Sequence, residues 1–411
     1  MKAFRGTYDQ LPGIRRQHHT IESCARQILS LYQFEEVSTP IFEYLDVFVH
    51  TLGDTSDVVT KEMFTLKDRH DDLLALRPEG TAGVMRAVLT NQLVQSVPLK
   101  YFYMGPMFRY ERPQKGRTRQ FHQIGVEHIG EAHPLADAES IAMAAHFLKS
   151  LGLEKTITLE VNTLGDAESR QKYRKALIAY LEGYRAQLSM DSQTRLDKNP
   201  LRILDSKDEN DQMILKDAPK IHGFLTAEAE KFFETVLRGL DDLKISYEVN
   251  PRLVRGLDYY GHSAFEFKSL ALGAQNTVLG GGRYDNLSVQ MGGPLLPSVG
   301  WAAGIERLAL LVNEPASGTR PVALVPLGES AEHKAWILAD LLRQHDIMTH
   351  LAYEGSLKAR LKKANKANAL YALILGEDEL KYDRATVKNL DKGTQETIEI
   401  SRLIGYLKAH S

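Results

Sequence analysis

Cysteine is almost absent from this chain: of its 411 residues, only Cys24 is one. A single thiol excludes an internal disulfide and any cysteine cluster around a metal, and it fits a reducing compartment. No apolar run approaches the length needed to cross a bilayer. The opening segment MKAFRGTYDQLPG has no apolar core of the kind a secretory signal carries, so a cytoplasmic location without a membrane partner is expected. Net charge is missing too, at −2, so any nucleic acid must be held by local patches rather than by the field of the whole molecule. Internal repeats and low-complexity tracts are absent. What is present, 43% hydrophobic and 25% charged residues, describes a globular protein with room for two or three cores.

The most informative stretch is 101–130, YFYMGPMFRYERPQKGRTRQFHQIGVEHIG. Alternation and aromatic or β-branched content predict strands from Tyr101 to about Glu111 and from about Gln120 to Ile129. Side chains alternate between the faces of a strand, so Arg109 and Glu111 share one face, as do Phe121, Gln123, Gly125 and Glu127, and that face carries an arginine, two carboxylates, an amide, a flat aromatic ring and a glycine. A structural strand would put apolar residues there; this composition suits a polar ligand. The connecting loop adds Arg112, Lys115, Arg117 and Arg119 with no acid after Glu111. On charge alone it is an exposed solubilising loop, but its position between two polar-faced strands favours contact with phosphates.

FRYE followed by a basic loop and RQFHQ resembles the second signature motif of class II aminoacyl-tRNA synthetases. The form RPQKGRTRQFHQ is similar to that of bacterial histidyl-tRNA synthetases, and the resemblance extends over essentially the whole chain. It implies an α+β fold: a mixed, mostly antiparallel sheet flanked by helices at 1–164 and 246–314, a helical insertion at 165–245, and a C-terminal α/β anticodon-binding domain at 321–411.

Ile14–Tyr32 has the apolar spacing of an amphipathic helix. His18 and His19 on it read as a solvated face, since no third metal ligand is near in sequence. Phe34–Thr39, stopped by Pro40, matches a segment the family places at a homodimer interface. LRPEGTAG turns into a helix near Ala82–Thr90, where Glu79 suits a helix N-terminus; the resemblance puts Glu79 and Thr81 against the amino acid. Asp166–Leu188 and Thr226–Leu243 read as helices around a polar stretch. In LVRGLDYYGHSAFEF, Arg255 sits in an apolar segment and needs an anionic partner, either Asp258 or another acid in a structural salt bridge, or a ligand. GGGR at 280–283 lacks the GK[ST] of a P-loop, so a tight turn is the default. SVGWAAGIERLALLV carries a lone cation, Arg307, on an apolar helix. After a linker, NEPASGTRP, strands and helices alternate to the end, with Lys358, Arg360, Lys362, Lys363 and Lys366 on one helix.

The activity the resemblance implies is activation of L-histidine by ATP, accompanied by Mg2+, and transfer to the 3′ end of tRNA(His). Arg109 and Arg255 are then the catalytic cations. Glu79, Thr81, Gln123, Glu127, Tyr259 and Tyr260 bind histidine; Arg109, Glu111, Phe121 and Arg307 bind ATP, with the adenine between Phe121 and Arg307. Gln114, Lys115, Arg117 and Arg119 meet the tRNA acceptor end, and no magnesium ligand is assigned. The alternative is a non-catalytic paralogue, the histidine-sensing regulatory subunit of ATP phosphoribosyltransferase, which departs from these catalytic motifs.

Overall fold

The computed structural model describes residues 1–52, 58–255, 259–273, 276–312 and 319–410. The chain divides into two compact units, Met1–Glu314 and Pro315–Ser411.

In the first unit the strands are β1 (Glu35–Glu36), β2 (Phe42–Tyr44), β3 (Phe64–Lys67), β4 (Leu73–Leu76), β5 (Leu99–Phe108), β6 (Gln120–Ile129), β7 (Thr158–Thr163), β8 (Glu248–Val249), β9 (Gly261–Lys268), β10 (Thr277–Arg283) and β11 (Ser298–Gly304). Eight of them form one sheet in the order β1-β5-β6-β11-β10-β9-β7-β8. The pairings are antiparallel except at the two ends, β1 with β5 and β7 with β8.

Strand alternation gives this sheet two unlike faces. One carries Phe102, Val126, Trp301, Phe265 and Val161, all in the main hydrophobic core. The helices Pro12–Leu31 and Pro134–Ser150 cover it, burying Ile21, Ala25, Ile28 and Leu29 from the first and Ile141, Ala144 and Phe147 from the second. The Phe147 ring stacks on Trp301, with centroids 6.1 Å apart. Asp137 from that second helix meets Arg283 of β10 at 2.5 Å, a charge pair almost wholly sealed from water.

The opposite face is different. Gly300, Ala302 and Gly304 of β11 lie opposite Glu127, Gly125 and Gln123 of β6. Gly280 and Gly282 of β10 face Ala302 and Gly300 in turn. The middle of the sheet therefore has almost no side-chain bulk on this side and forms a trough.

The glycines at 280–282 thus sit inside strand β10 and do not make the tight turn expected. A Cβ on Gly280 would come within 2.5 Å of the Arg255 guanidinium, so that position is kept bare for a side chain arriving from elsewhere. One other boundary differs. The first strand of the motif stops at Phe108, short of Glu111, although the Arg109 amide still bonds the Arg119 carbonyl at 2.9 Å. Tyr259 and Tyr260 precede β9, which begins at Gly261.

The segment between β7 and β8 is helical and has its own small core of Tyr173, Leu177, Leu181, Leu196, Ile203 and Leu204. The helix Ala227–Asp242 gives Phe233, Val236 and Leu240 to the main core instead. A separate sheet, β2-β4-β3, leaves Phe42 at 58% and Tyr44 at 61% exposure.

The second unit has strands β12 (Val322–Pro326), β13 (Thr349–Leu351), β14 (Tyr371–Leu375), β15 (Arg384–Asn389) and β16 (Gln395–Glu399), in the order β13-β12-β14-β15-β16. β12 runs parallel to both neighbours and is buried throughout, as its continuous apolar sequence VALVP requires. Helix Glu329–Gln344 and the terminal helix Leu403–His410 close a core around Leu338, Leu342, Leu373 and Leu403. On the basic helix Leu357–Lys366, Arg360 points inward. Its Nε donates to the Gly355 carbonyl at 2.7 Å and its guanidinium pairs with Glu332.

Candidate active site

The bare trough is the floor of a cavity of about 1110 Å³. Glu79, Thr81, Arg109, Glu111, Arg117, Phe121, Gln123, Arg255, Tyr259, Tyr260 and Arg307 all line it, from four separate stretches of chain. The sheet register explains the convergence. Tyr103, Phe121 and Gln123 rise from β5 and β6, Glu266 from β9, and Arg307 from the helix that β11 runs into.

Arg109 is held at two points. Its Nε donates to the Pro78 carbonyl at 2.8 Å, and its guanidinium lies 5.4 Å from the centre of the Phe121 ring. Arg255 pairs with Glu266 at 2.5 Å and sits over the Tyr260 ring. Burial works against the Arg255 charge, but Tyr260 and Glu266 outweigh it and hold its pKa above the ordinary value. Asp258, the near-sequence acid considered as partner, lies outside the described residues. Arg307 donates to the Thr277 carbonyl, and burial, with Arg117 beside it, pulls its pKa down to about 10. Glu111 accepts from Arg117 at 2.8 Å, so its carboxylate is engaged within the site.

The acids deeper in the site lack such neutralisation. Glu79 spends both carboxylate oxygens on the first amides of the helix Thr81–Thr90, accepting from Thr81 at 2.7 Å and Ala82 at 2.8 Å. Burial still raises its pKa. Glu127 is 1% exposed and lies behind the cavity wall. It accepts from the Thr81 hydroxyl at 2.7 Å and from the Tyr284 hydroxyl. Burial pushes Glu127 up to about 8; Glu79 adds to the rise and the two hydroxyls oppose it. Neither acid forms an ion pair within the distance of a salt bridge among the described residues. The tyrosines complete the wall: Tyr259 and Tyr260 pack at 4.6 Å, and both meet Tyr284 edge-on. Gly125 stays bare because the Tyr103 ring occupies the space its Cβ would take, 2.2 Å away. The result is an aromatic, acid-backed pocket beside two guanidinium groups, suited to a ligand with a cationic end and an anionic end.

Several placements depart from expectation. In the basic loop, Gln114 and Lys115 are exposed and Arg117 turns to Glu111. Arg119 is only 9% exposed: its guanidinium lies 3.6 Å from the Tyr110 ring centre and also faces Phe4, while its amide bonds the Gly6 carbonyl. Burial against aromatic rings leaves little of its guanidinium open to a polyanion. His18 is buried rather than solvated, and His122 and Glu306 supply the neighbours that sequence distance concealed. Tyr284 and Glu266 escaped notice in the sequence. Tyr284 follows GGGR directly, which was the available signal, whereas Glu266 reads as one more alternating strand residue.

The family model for histidyl-tRNA synthetase matches residues 6–308, and one for an anticodon binding domain matches 321–410. The chain is 52% identical over 407 residues to the histidine–tRNA ligase of Gluconacetobacter diazotrophicus, covering 99% of this chain and 98% of the relative. It is 52% identical over 408 residues to that of Rhodospirillum rubrum, with the same coverage. Among solved structures, apo histidyl-tRNA synthetase from S. aureus superposes with a TM-score of 0.83 at 36% identity, covering 99% of both chains. The eight-stranded, mostly antiparallel sheet and the separate C-terminal sheet are thus those of a class II synthetase. With a trough of this composition and relatives matched almost end to end, the chain belongs to the histidyl-tRNA synthetase family.

Proposed function

We propose that this protein activates L-histidine with ATP, forming histidyl-adenylate and pyrophosphate, and then transfers histidine to the 3′ end of tRNA(His). The observation that carries the proposal is one cavity holding Arg109 and Arg255 next to the unneutralised acids Glu79 and, behind the wall, Glu127. Histidine supplies a cationic ammonium for the acid side and a carboxylate for the guanidinium side.

In the first step the histidine carboxylate attacks the α-phosphorus, the bond to the bridging oxygen breaks, and pyrophosphate leaves with its electrons. The nucleophile is already an anion, so no general base is required. The task is to bring two anions together and hold the charge that develops. Arg109 and Arg255 are permanently charged planar forks that suit this. Glu79, Thr81 and Gln123 orient the ammonium. Tyr259, Tyr260 and the Glu127–Tyr284 pair read the imidazole, so a ring without matching polar atoms leaves buried groups unpaired. Phe121 and Arg307 flank the adenine, and Glu111 lies beside it. Magnesium would arrive with the triphosphate. Glu111 and Glu266 each already face a guanidinium, a donor set that fits a cation held mainly by phosphate oxygens and water. In the second step the terminal ribose hydroxyl attacks the adenylate carbonyl and AMP leaves. In this reading Gln114 and Lys115, both exposed, meet the acceptor end, and the C-terminal unit meets the anticodon. The exposed Phe42 and Tyr44 of the small sheet support a homodimer, and a cytoplasmic location suits the activity.

Pyrophosphate exchange measured with each amino acid in turn tests this. Exchange with histidine alone is expected, and exchange with another amino acid, or none, overturns it. The regulatory-subunit alternative predicts histidine binding without exchange. The presence of Arg109, Arg255 and Arg307 and a complete C-terminal unit weighs against it.

A further inference from the structure

On the face of β6 opposite to cavity-lining Phe121 and Gln123, three potential metal ligands converge from elements remote in sequence. They are His18 of the helix Pro12–Leu31, His122 of β6 and Glu306 of the helix Ile305–Ala309, and their ligand atoms all lie within 4.8 Å of one another. We propose that these three side chains form a site for one divalent transition-metal ion of the zinc class.

Three observations support it. His18 is 1% exposed and its Nδ1, sealed from water, makes no hydrogen bond. Its ring meets that of His122 edge-on at 5.7 Å between centroids. The charge is also incomplete. Glu306 is nearly buried and accepts from the His122 amide at 2.9 Å, from His122 Nδ1 at 2.9 Å and from the Tyr8 hydroxyl at 3.3 Å. Among the described residues, its one ion-pair partner is the His122 ring, which carries charge only when protonated. Arg15, on the same helix as His18, is engaged by Glu22 through bonds of 2.7 and 2.9 Å. With neutral imidazoles the cluster therefore carries a single negative charge and offers two nitrogens and an oxygen.

That donor set selects the metal. Two imidazoles and a carboxylate suit Zn2+, Co2+ or Ni2+, whereas Mg2+ and Ca2+ want oxygens alone. Ligand atoms around tetrahedral zinc are about 3.3 Å apart, so the cluster must contract on binding. Side-chain rotation of His18 and His122 supplies that. Glu306 keeps the His122 amide as an outer hydrogen bond, and Gln10, 3.1 Å from the His122 ring, fixes the orientation of that ring. The fourth position falls to water or to the Tyr8 hydroxyl. An ion there ties the N-terminal segment, the first helix, β6 and the Arg307-bearing helix together beneath the adenine side of the cavity.

The test uses full-length, tag-free protein stripped of metal by a chelator and titrated with Co2+. One equivalent is expected to bind, producing the intense visible absorption of a tetrahedral site, and Zn2+ should displace it. His18→Gln should weaken Co2+ binding at least about 100-fold, while His19→Gln, at the exposed neighbouring position, should bind as the wild type does. If His18→Gln does not fold, the imidazole resonances of wild-type His18 and His122 on adding Zn2+ decide the matter, since both must shift together at one equivalent. Absence of stoichiometric uptake, uptake unchanged in a folded His18→Gln, or unmoved imidazole resonances would overturn the site and leave a buried hydrogen-bond network.

Discussion

Glu127→Gln should make the ligand-free protein more stable while destroying its grip on histidine. Glu127 is 1% exposed and its carboxyl is held at a pKa of about 8, against about 4.3 for an unfolded glutamate. Between those values the folded chain keeps a proton that the unfolded chain has released, so stability drains away as pH rises through the window. From about pH 4.3 to 7 the loss is about 3–4 kcal/mol, at about 1.4 kcal/mol per unit, and it levels off above pH 8. Glutamine has nearly the same shape and never ionises, and the Tyr284 and Thr81 hydroxyls can each turn to accept from its amide. Denaturant midpoints of wild type and Glu127→Gln, followed across pH in the absence of ligand, are the assay. The variant should lead by several kcal/mol near pH 8, and the gap should close by pH 4.5. Saturating histidine should stabilise the wild type strongly and the variant little, because the imidazole N–H supplies a donor that the Glu127 carboxylate accepts in this reading. A gap independent of pH, or equal stabilisation of both proteins by histidine, would refute the account of Glu127 as an acid kept buried at a cost for its ligand.

Arg255→Ala should lower pyrophosphate exchange by about 10²–10³-fold with melting little changed, because Lys268 at 3.6 Å remains to face Glu266; unchanged exchange removes Arg255 from the mechanism. Lys115→Ala should weaken tRNA binding and reduce its salt slope by about one without touching adenylation, and an altered exchange rate would contradict its placement at the acceptor end. Arg119→Ala, by contrast, should impair both steps and loosen the segment around Phe4–Gly6 in hydrogen exchange, since its guanidinium packs between Phe4 and Tyr110; a defect confined to transfer would restore it as an RNA contact. Asp137→Ala should cost about 3 kcal/mol in urea unfolding, because the buried Arg283 loses its fully buried carboxylate partner and keeps only Asp285 at 3.1 Å and the Glu131 carbonyl, and a midpoint within error of wild type would show the pair to be dispensable.

The ligand strands were legible because their signal is local. Arg109, Phe121, Gln123 and Glu127 stand close in sequence, and period-two alternation alone places the last three on one face. The C-terminal unit was legible for the same reason, from apolar strands alternating with amphipathic helices. What stayed hidden depends on register between distant segments. GGGR reads as a turn because glycine usually punctuates, and only β10 lying between β9 and β11, with Arg255 crossing over it, reveals a strand cleared for a side chain. His18 reads as solvated because its partners are more than a hundred residues away, and the helix must dock on β6 before they meet.

The basic loop shows why charge is the weaker guide. Arg112, Lys115, Arg117 and Arg119 look equivalent in sequence, yet the fold spends Arg117 on Glu111 and Arg119 on two aromatic rings, leaving Lys115 and Arg112 for solvent or phosphate. Arg360 on the C-terminal basic helix repeats the lesson, drawn inward to Glu332 and the Gly355 carbonyl. Arginine is divided this way because its flat fork can satisfy several buried acceptors at once, which lysine cannot. A run of cations therefore counts potential phosphate contacts only after its arginines have been checked for internal acceptors and rings. In this chain the buried Glu127 is the better marker: burial holds its carboxyl at a pKa of about 8 against the tyrosines, and it forms no ion pair among the described residues.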